Sequence, residues 1–219
     1  MKNFYQLDYS TDELRVGSTF PQSHDDKIFD VNDPRNLSKL EPGKPIDQNI
    51  ILPIPVIHRK AKLTDLISTV TIGFRLVISE KLKNIFVKYV SSKEIEFIPF
   101  VIVNKNKELS YWLVNPINFK MDFVNYPSSE IFIVRAGWHK LERVENIYNE
   151  KIFIEKNKLL RDSEGYLSLK IDKVKFIDTI TQDFFSLNFV DGAIGYYISE
   201  KLKNEIEQAG CTGIAFQQL

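Results

Sequence analysis

Apolar and polar positions alternate along much of this chain, at the period of two that marks half-buried strands. Phe4-Tyr5-Gln6-Leu7-Asp8-Tyr9 predicts an aromatic first strand. From Gly17 to Lys44 the pattern gives way to polar chain interrupted by Pro21, Pro34 and Pro42. This predicts irregular structure, with one short strand near Ile28-Phe29. Residues 50–57 are apolar, but Pro53 and Pro55 cannot donate ladder bonds, so an edge strand or extended packed segment is expected. Residues 95–103 and 109–114 predict a hairpin turned by Asn104-Lys105-Asn106-Lys107 and ended by Asn115-Pro116. Further strands are expected at 131–134, 151–154, 166–171 and 213–216, with 174–180 and 184–190 adding β content.

Two segments change to helical spacing. Ser79 follows the β-like run 74–78 and is placed to cap a helix, with Glu80 in the first turn where a negative charge suits the dipole. Leu82, Ile85, Phe86, Tyr89 and Val90 then form one stripe. Ser199 and Glu200 repeat this start, Leu202, Ile206 and Ala209 make the apolar face, and Gly210 stops the helix. The likeness is literal: Ile78-Ser79-Glu80-Lys81-Leu82-Lys83-Asn84 recurs as Ile198-Ser199-Glu200-Lys201-Leu202-Lys203-Asn204. Either any well-built helix start looks like this, or a strand–helix–strand unit is repeated. The elements together predict an α+β fold of mostly antiparallel short strands with two principal amphipathic helices. One domain spanning 1–219 is expected, with sub-lobes 1–125 and 126–219 as the alternative.

Composition narrows the function classes. Lys and Arg number 29 and Asp and Glu 29, so non-specific nucleic-acid binding is not favoured. Cys211 is the single cysteine, which fits a reducing compartment and a cytoplasmic location. The start of the chain lacks a signal-peptide pattern, and no apolar run approaches the roughly 20 residues of a membrane span.

Reactive groups form no familiar constellation. His24, His58 and His139 stand apart at no metal-type spacing, so no metal is expected. No G-x-S-x-G elbow occurs, and Cys211 reads as a small buried hydrophobe. Asp25-Asp26, Asp30, Asp33, Glu142 and Glu145 read as solvated loop acids, and Lys81, Lys83 and Lys88 as a solvated helix face. Gly192-Ala193-Ile194-Gly195 and Gly210-Cys211-Thr212-Gly213 read as turns, matching no phosphate or dinucleotide pattern. Trp138-His139 is either an exposed partner-binding patch or a turn whose Trp packs on the core. No catalytic or cofactor-binding residue is expected.

The segments Leu76-Val77-Ile78-Ser79-Glu80-Lys81-Leu82 and Tyr197-Ile198-Ser199-Glu200-Lys201-Leu202-Lys203, with the ending Glu205-Ile206-Glu207-Gln208-Ala209-Gly210-Cys211-Thr212-Gly213-Ile214-Ala215-Phe216, resemble the immunity proteins of bacterial polymorphic toxin systems. The likeness spans residues 74–219, with a weaker match at the first strand. Cys211 stands where that family has an apolar residue such as Leu. The resemblance implies a non-enzymatic protein that neutralises a cognate toxin by stoichiometric binding, with contact residues unassigned. A hydrolase assembled from distant acids and histidines, or a peptide- or nucleic-acid-binding module, are the competing expectations.

Overall fold

The fold comes from a computed structural model. It describes residues 2–26, 30, 32–190 and 193–219, with backbone alone for His24, Asp25 and Asp26. Strand β1 (Phe4–Tyr9) leads to the single turn α1 (Glu13–Val16) and β2 (Ser23–Asp26). After a long irregular stretch come β3 (Pro55–Ile57), β4 (Leu66–Ile67), β5 (Leu76–Ile78), α2 (Glu80–Phe86) and the hairpin of β6 (Ile95–Asn104) and β7 (Lys107–Pro116). The remainder is β8 (Glu130–Arg135), β9 (His139–Arg143), α3 (Glu150–Ser163), β10 (Leu167–Lys173), β11 (Phe184–Val190), β12 (Ala193–Ser199), α4 (Glu200–Gln208) and β13 (Ile214–Gln218).

Among the described residues these strands form three sheets, ordered β2-β3-β6-β7-β5-β4, β11-β12-β1-β13 and β10-β8-β9. Every pairing is antiparallel except β3 with β6, so the fold is α+β and mostly sheet. The strands' alternation sorts side chains into separate cores. Leu76, Ile78 and Val114 on one large sheet meet Leu7, Tyr196 and Ile198 on the other, with Leu82, Phe86, Leu202 and Ile206 of α2 and α4 between them. The opposite face of the six-stranded sheet packs Val77, Phe100 and Leu113 against Leu37 and Ile57. The opposite face of the four-stranded sheet packs Phe185 and Tyr197 against Phe153, Leu169 and Ile171 of the β8–β10 segment.

Several expectations need correction. Residues 151–154 lie in α3, the longest helix, rather than in a strand. Asn149 Oδ1 accepts the Ile152 amide at 3.0 Å, and Glu150 occupies the first turn. Phe153, Asn157 and Leu160 then face inward at helical spacing, so the apolar run 152–154 sends only Phe153 fully into the core. Residues 174–180 are irregular apart from a bridge between Val124 and Phe176. Within 50–57 only Pro55–Ile57 is strand, and it is internal, because β3 pairs with both β2 and β6. Pro55 opens the strand, where a proline is tolerated. The strand expected near Ile28-Phe29 lies outside the described residues.

The seven-residue echo marks a duplicated unit. In the β4–β5 hairpin Leu66 pairs with Ile78; in the β11–β12 hairpin Phe184 pairs with Ile198. An aspartate precedes each first strand, and its carbonyl accepts the amide of the capping serine, Ser79 to Asp65 at 2.8 Å and Ser199 to Asp183 at 2.9 Å. Ser79 Oγ accepts the Leu82 amide, and Ser199 Oγ the Leu202 amide. Both carboxylates also take a hydrogen bond from that serine and an ion pair from the lysine two residues on, Lys81 at 3.0 Å and Lys201 at 3.9 Å. Trp112 pairs with Ile78 as Tyr5 pairs with Ile198, and Lys83 and Lys203 lie over those rings at 4.0 and 5.2 Å. The sheet orders β4-β5-β7-β6 and β11-β12-β1-β13 therefore correspond strand by strand. Val114 faces Phe97 where Leu7 faces Phe216, and Pro116 faces Ile95 where Tyr9 faces Ile214. The units differ in connection. β6 and β7 are joined directly by a turn, whereas their counterparts β13 and β1 are not neighbours along the sequence, with Tyr5 opposite Gln218.

Two outcomes follow from this arrangement. Joining Leu219 to Met1 with a short flexible segment and opening the chain between Lys105 and Asn106 exchanges the connections of the two units. That permutant is expected to show the parent circular dichroism spectrum and a melting temperature within about 10 °C of it; loss of cooperative unfolding would contradict the correspondence. In the clasps, burial opposes ionisation of Asp65 and Asp183, but hydrogen bonds and lysines outweigh it and hold both below the ordinary 3.8. Their stabilisation is complete above about pH 4 and is lost as pH falls through the lower folded-state values. Asp65→Asn should cost about 1–3 kcal/mol at pH 7, and its deficit against the parent should shrink in melts at pH 3.

Candidate interaction surface

The segment between the duplicated units carries half of the exposed large apolar side chains among the described residues. Of twelve exposed large hydrophobic side chains among the described residues, six fall within residues 138–166: Trp138, Leu141, Tyr148, Ile154, Leu159 and Tyr166. Scattered exposed apolar residues are ordinary, so it is their clustering along this segment that makes it the candidate contact surface.

Trp138 sits at the mouth of a cleft of about 720 Å³, larger than the other cavities described. The β8–β9 turn, the last turns of α3, β10, the ends of β11 and β12, and Glu41-Pro42 of the irregular N-terminal stretch all line it. The turn is built from Ala136 at φ +52° and Gly137 at φ +84°, and the Trp138 amide donates to the Arg135 carbonyl at 3.3 Å. Positive φ at both central residues matches the twist of the flanking strands, which keeps the hairpin tight. It also throws Trp138 outward, leaving it 72% exposed. The reading of a turn whose Trp packs on the core is overturned: the turn is there, but its Trp is exposed.

The facing wall is equally constrained. Phe189 lies at a bulge where the β11–β12 register shifts, with φ +60°. Its ring packs 5.4 Å from Phe153. Ala193 opens β12 at φ +86°. Three of the six non-glycine residues with positive φ among those described thus line one cleft. Such backbone strain persists only where surrounding packing over-determines it, and it clusters at functional sites. Arg161 of α3 reaches the wall with no ion pair among the described residues, and Lys170 forms a nearly buried part of the lining.

The remaining candidates do not gather. His139 and Glu142 are exposed on β9, and Glu145 on the loop beyond it. His58 Nδ1 accepts the Lys60 amide at 3.2 Å and lies 3.2 Å from Thr19 Oγ1. The side chains of His24, Asp25 and Asp26 lie outside the description. Asp30 accepts the Asn32 amide, and Asp33 holds Arg35 at 2.8 Å, which lowers its carboxyl to about 2. Cys211 is half-buried; burial first, then Asp65, pushes its thiol up to about 11. Among the described residues no group of three or more His, Cys, Asp and Glu is placed to hold a metal.

The lysines expected to be merely solvated are engaged: Lys81 with Asp65, Lys83 with Glu80, and Lys88 with Glu205 at 2.6 Å. Gly195, expected in a turn, lies inside β12, where a side chain would collide with the Tyr197 hydroxyl at 2.7 Å and its ring at 2.8 Å. Gly213 does form a turn at φ +81°, against the Leu66 carbonyl. Sequence reasoning missed Arg161, Tyr166 and Phe189. The available signal was the small pair Ala136-Gly137 between two short apolar–polar runs.

A scan of protein-family models and a search of curated proteins found no match to this chain. Among the described residues no helix is long and apolar enough to cross a membrane.

Exposure separates surface role from core role. Trp138→Ala is expected to change stability by less than about 0.5 kcal/mol, whereas Phe153→Ala, fully buried, should cost about 3–5 kcal/mol. Denaturant melts of the two variants check this, and a large loss for Trp138→Ala would show that the ring supports the fold.

Proposed function

We propose that this chain is an immunity-type protein that binds a bacterial toxin one-to-one and blocks it, working in the cytoplasm and without chemistry of its own. The observation that carries this reading is that half of the exposed large apolar side chains among the described residues, with an outward Trp, fall within residues 138–166. Trp is favoured at the centres of protein interfaces, because it buries much area at low entropic cost. The helix starts at 79–82 and 199–202 and the ending 209–216 support the family resemblance. The lowered carboxyls Asp65, Asp183, Glu94 and Glu205 also fit a binding role, since each is tied into a structural ion pair, while Glu150, raised by burial and then by Asp122, sits in the first turn of α3. A general acid or base would need a side free for substrate.

A stable inhibitory complex of this kind would bury on the order of 1,600 Å². The test is co-expression with the effector domain encoded directly upstream. Expected are rescue of growth and a 1:1 complex by size-exclusion chromatography with light scattering. Rescue with no complex, or turnover of a small molecule by the purified chain, would overturn the reading.

A further inference from the structure

We infer that two copies of this chain pair edge to edge through β13, joining their four-stranded sheets into one. This goes beyond the toxin-binding reading and does not rest on it; a paired chain keeps the one-to-one ratio with a toxin.

An unpaired strand edge is a template for a further strand, and proteins ordinarily blunt it. Among the described residues the three sheets end in β2, β4, β9, β10, β11 and β13. β4 has only two residues. β2 reads Ser-His-Asp-Asp, and β9 carries Lys140, Glu142 and Arg143. On β10 the Leu169 amide donates to Asn157 of α3, and the register shifts between Ile171 and Lys173. On β11 the Ser186 carbonyl accepts the Lys120 amide, and the register shifts between Asn188 and Val190. β13 has none of these devices. Ile214-Ala215-Phe216-Gln217-Gln218 carries no charge or proline, and it pairs with β1 in unbroken register.

The duplicated unit shows what β13 lacks. Its counterpart is β6, where Pro99 faces Trp112 as Gln218 faces Tyr5. A proline there has no amide to offer on the side away from the ladder. The irregular stretch covers β6 as well: the Ile46 amide donates to Glu96 at 3.1 Å, and β3 adds alongside at Val103. On β13, Ala215, Gln217 and Gln218 are exposed instead.

Hydrogen bonding fixes how the copies meet. The Ser10 amide donates to the Gly213 carbonyl at 3.0 Å, and the Leu219 amide to the Phe4 carbonyl at 3.4 Å. Odd-numbered residues of β13 therefore bond β1, and Ile214, Phe216 and Gln218 turn their amides and carbonyls outward. Those outward groups have no hydrogen bond among the described residues. A two-fold axis through Phe216 sets Ile214 opposite Gln218 of the second copy and Phe216 opposite its equal. In that one two-fold register every outward amide meets a carbonyl, from the same patch on both copies. It makes an aromatic cross-strand pair and opposes no like charges along the strand. The ammonium over the Phe216 ring, Lys203 at 5.6 Å, is already held by Glu207 at 3.0 Å. The edge has no charge with which to select a foreign strand, whereas its own sequence supplies the matching register. A contact of five residues from each copy is small among specific interfaces. The expected dissociation constant is on the order of 10–100 μM.

The test is sedimentation equilibrium of the full chain from about 10 μM to about 1 mM, with amide hydrogen exchange at both ends of that range. Expected are a monomer–dimer equilibrium and slower exchange of the Phe216 and Gln218 amides in the concentrated sample. Gln218→Pro copies β6 and removes an amide that the single chain leaves unbonded. It should keep the parent circular dichroism spectrum and weaken pairing about tenfold or more. A charge series at the facing positions reads the register, and it decides the matter alone should Gln218→Pro unfold the chain. Ala215→Lys with Gln217→Lys should abolish pairing, and Ala215→Lys with Gln217→Glu should restore it to within about tenfold of the parent. A monomer throughout, a dimer indifferent to Gln218→Pro, equal pairing by the two charge variants, or exchange slowed at 138–166 in place of 214–218 would each overturn the proposal.

Discussion

The structure depends on one shared core, in which two short helices hold two sheets together. α2 has seven residues and α4 nine, below the roughly 12–15 at which an isolated helix is even marginal in water. Neither persists by propensity. Each is held by burying Leu82 and Phe86, or Leu202 and Ile206, between the sheets. The Asp–Ser–Lys clasp fixes where each helix begins, so the side chains arrive in register. The helices also meet directly. Lys88 and Tyr89 both engage Glu205, and Lys201 lies over the Tyr89 ring. Each unit therefore completes the other's core, and neither half is a finished hydrophobic body.

The two units diverge on their outer faces. The six-stranded sheet is backed by the irregular stretch that carries Leu37 and Ile57. The four-stranded sheet is backed by the β8–β9–α3–β10 segment, whose Phe153 ring lies 5.4 Å from Phe189, and by the loop after β10. Phe176 of that loop meets Phe4, Phe185 and Tyr197 of the sheet, the rings edge-on and stacked at 5.2–5.7 Å. Asn157 Oδ1 accepts the Leu169 amide at 2.8 Å and ties α3 to β10. This unrepeated segment carries half of the uncovered hydrophobics and most of the cleft lining. The duplicated part spends its polar groups on itself, in Asp65, Asp183 and the lysines they hold. The division explains why the residues that stand out by repetition are structural, while the candidate contact residues look unremarkable in the sequence.

Much of this was legible in the chain itself. Serine caps, early glutamates and apolar spacing are local preferences, and they determined both helix starts, the 95–116 hairpin, the aromatic first strand and the α+β class. The literal repeat at 78–84 and 198–204 raised the duplication. What it could not reveal is that Trp112 corresponds to Tyr5, or Phe97 to Phe216, because those matches exist only as cross-strand register between residues far apart. The helix at 150–163 was hidden for a related reason: Ile152-Phe153-Ile154 suits either period, and only packing of Phe153 and Asn157 against β10 decides between them. Trp138 was equally undecided, since a turn sequence sets backbone direction but not what lies beyond it. Local chemistry governs where elements begin and how they turn. Which faces meet, and which are left to solvent, depends on contacts across more than a hundred residues, and only the folded chain settles them.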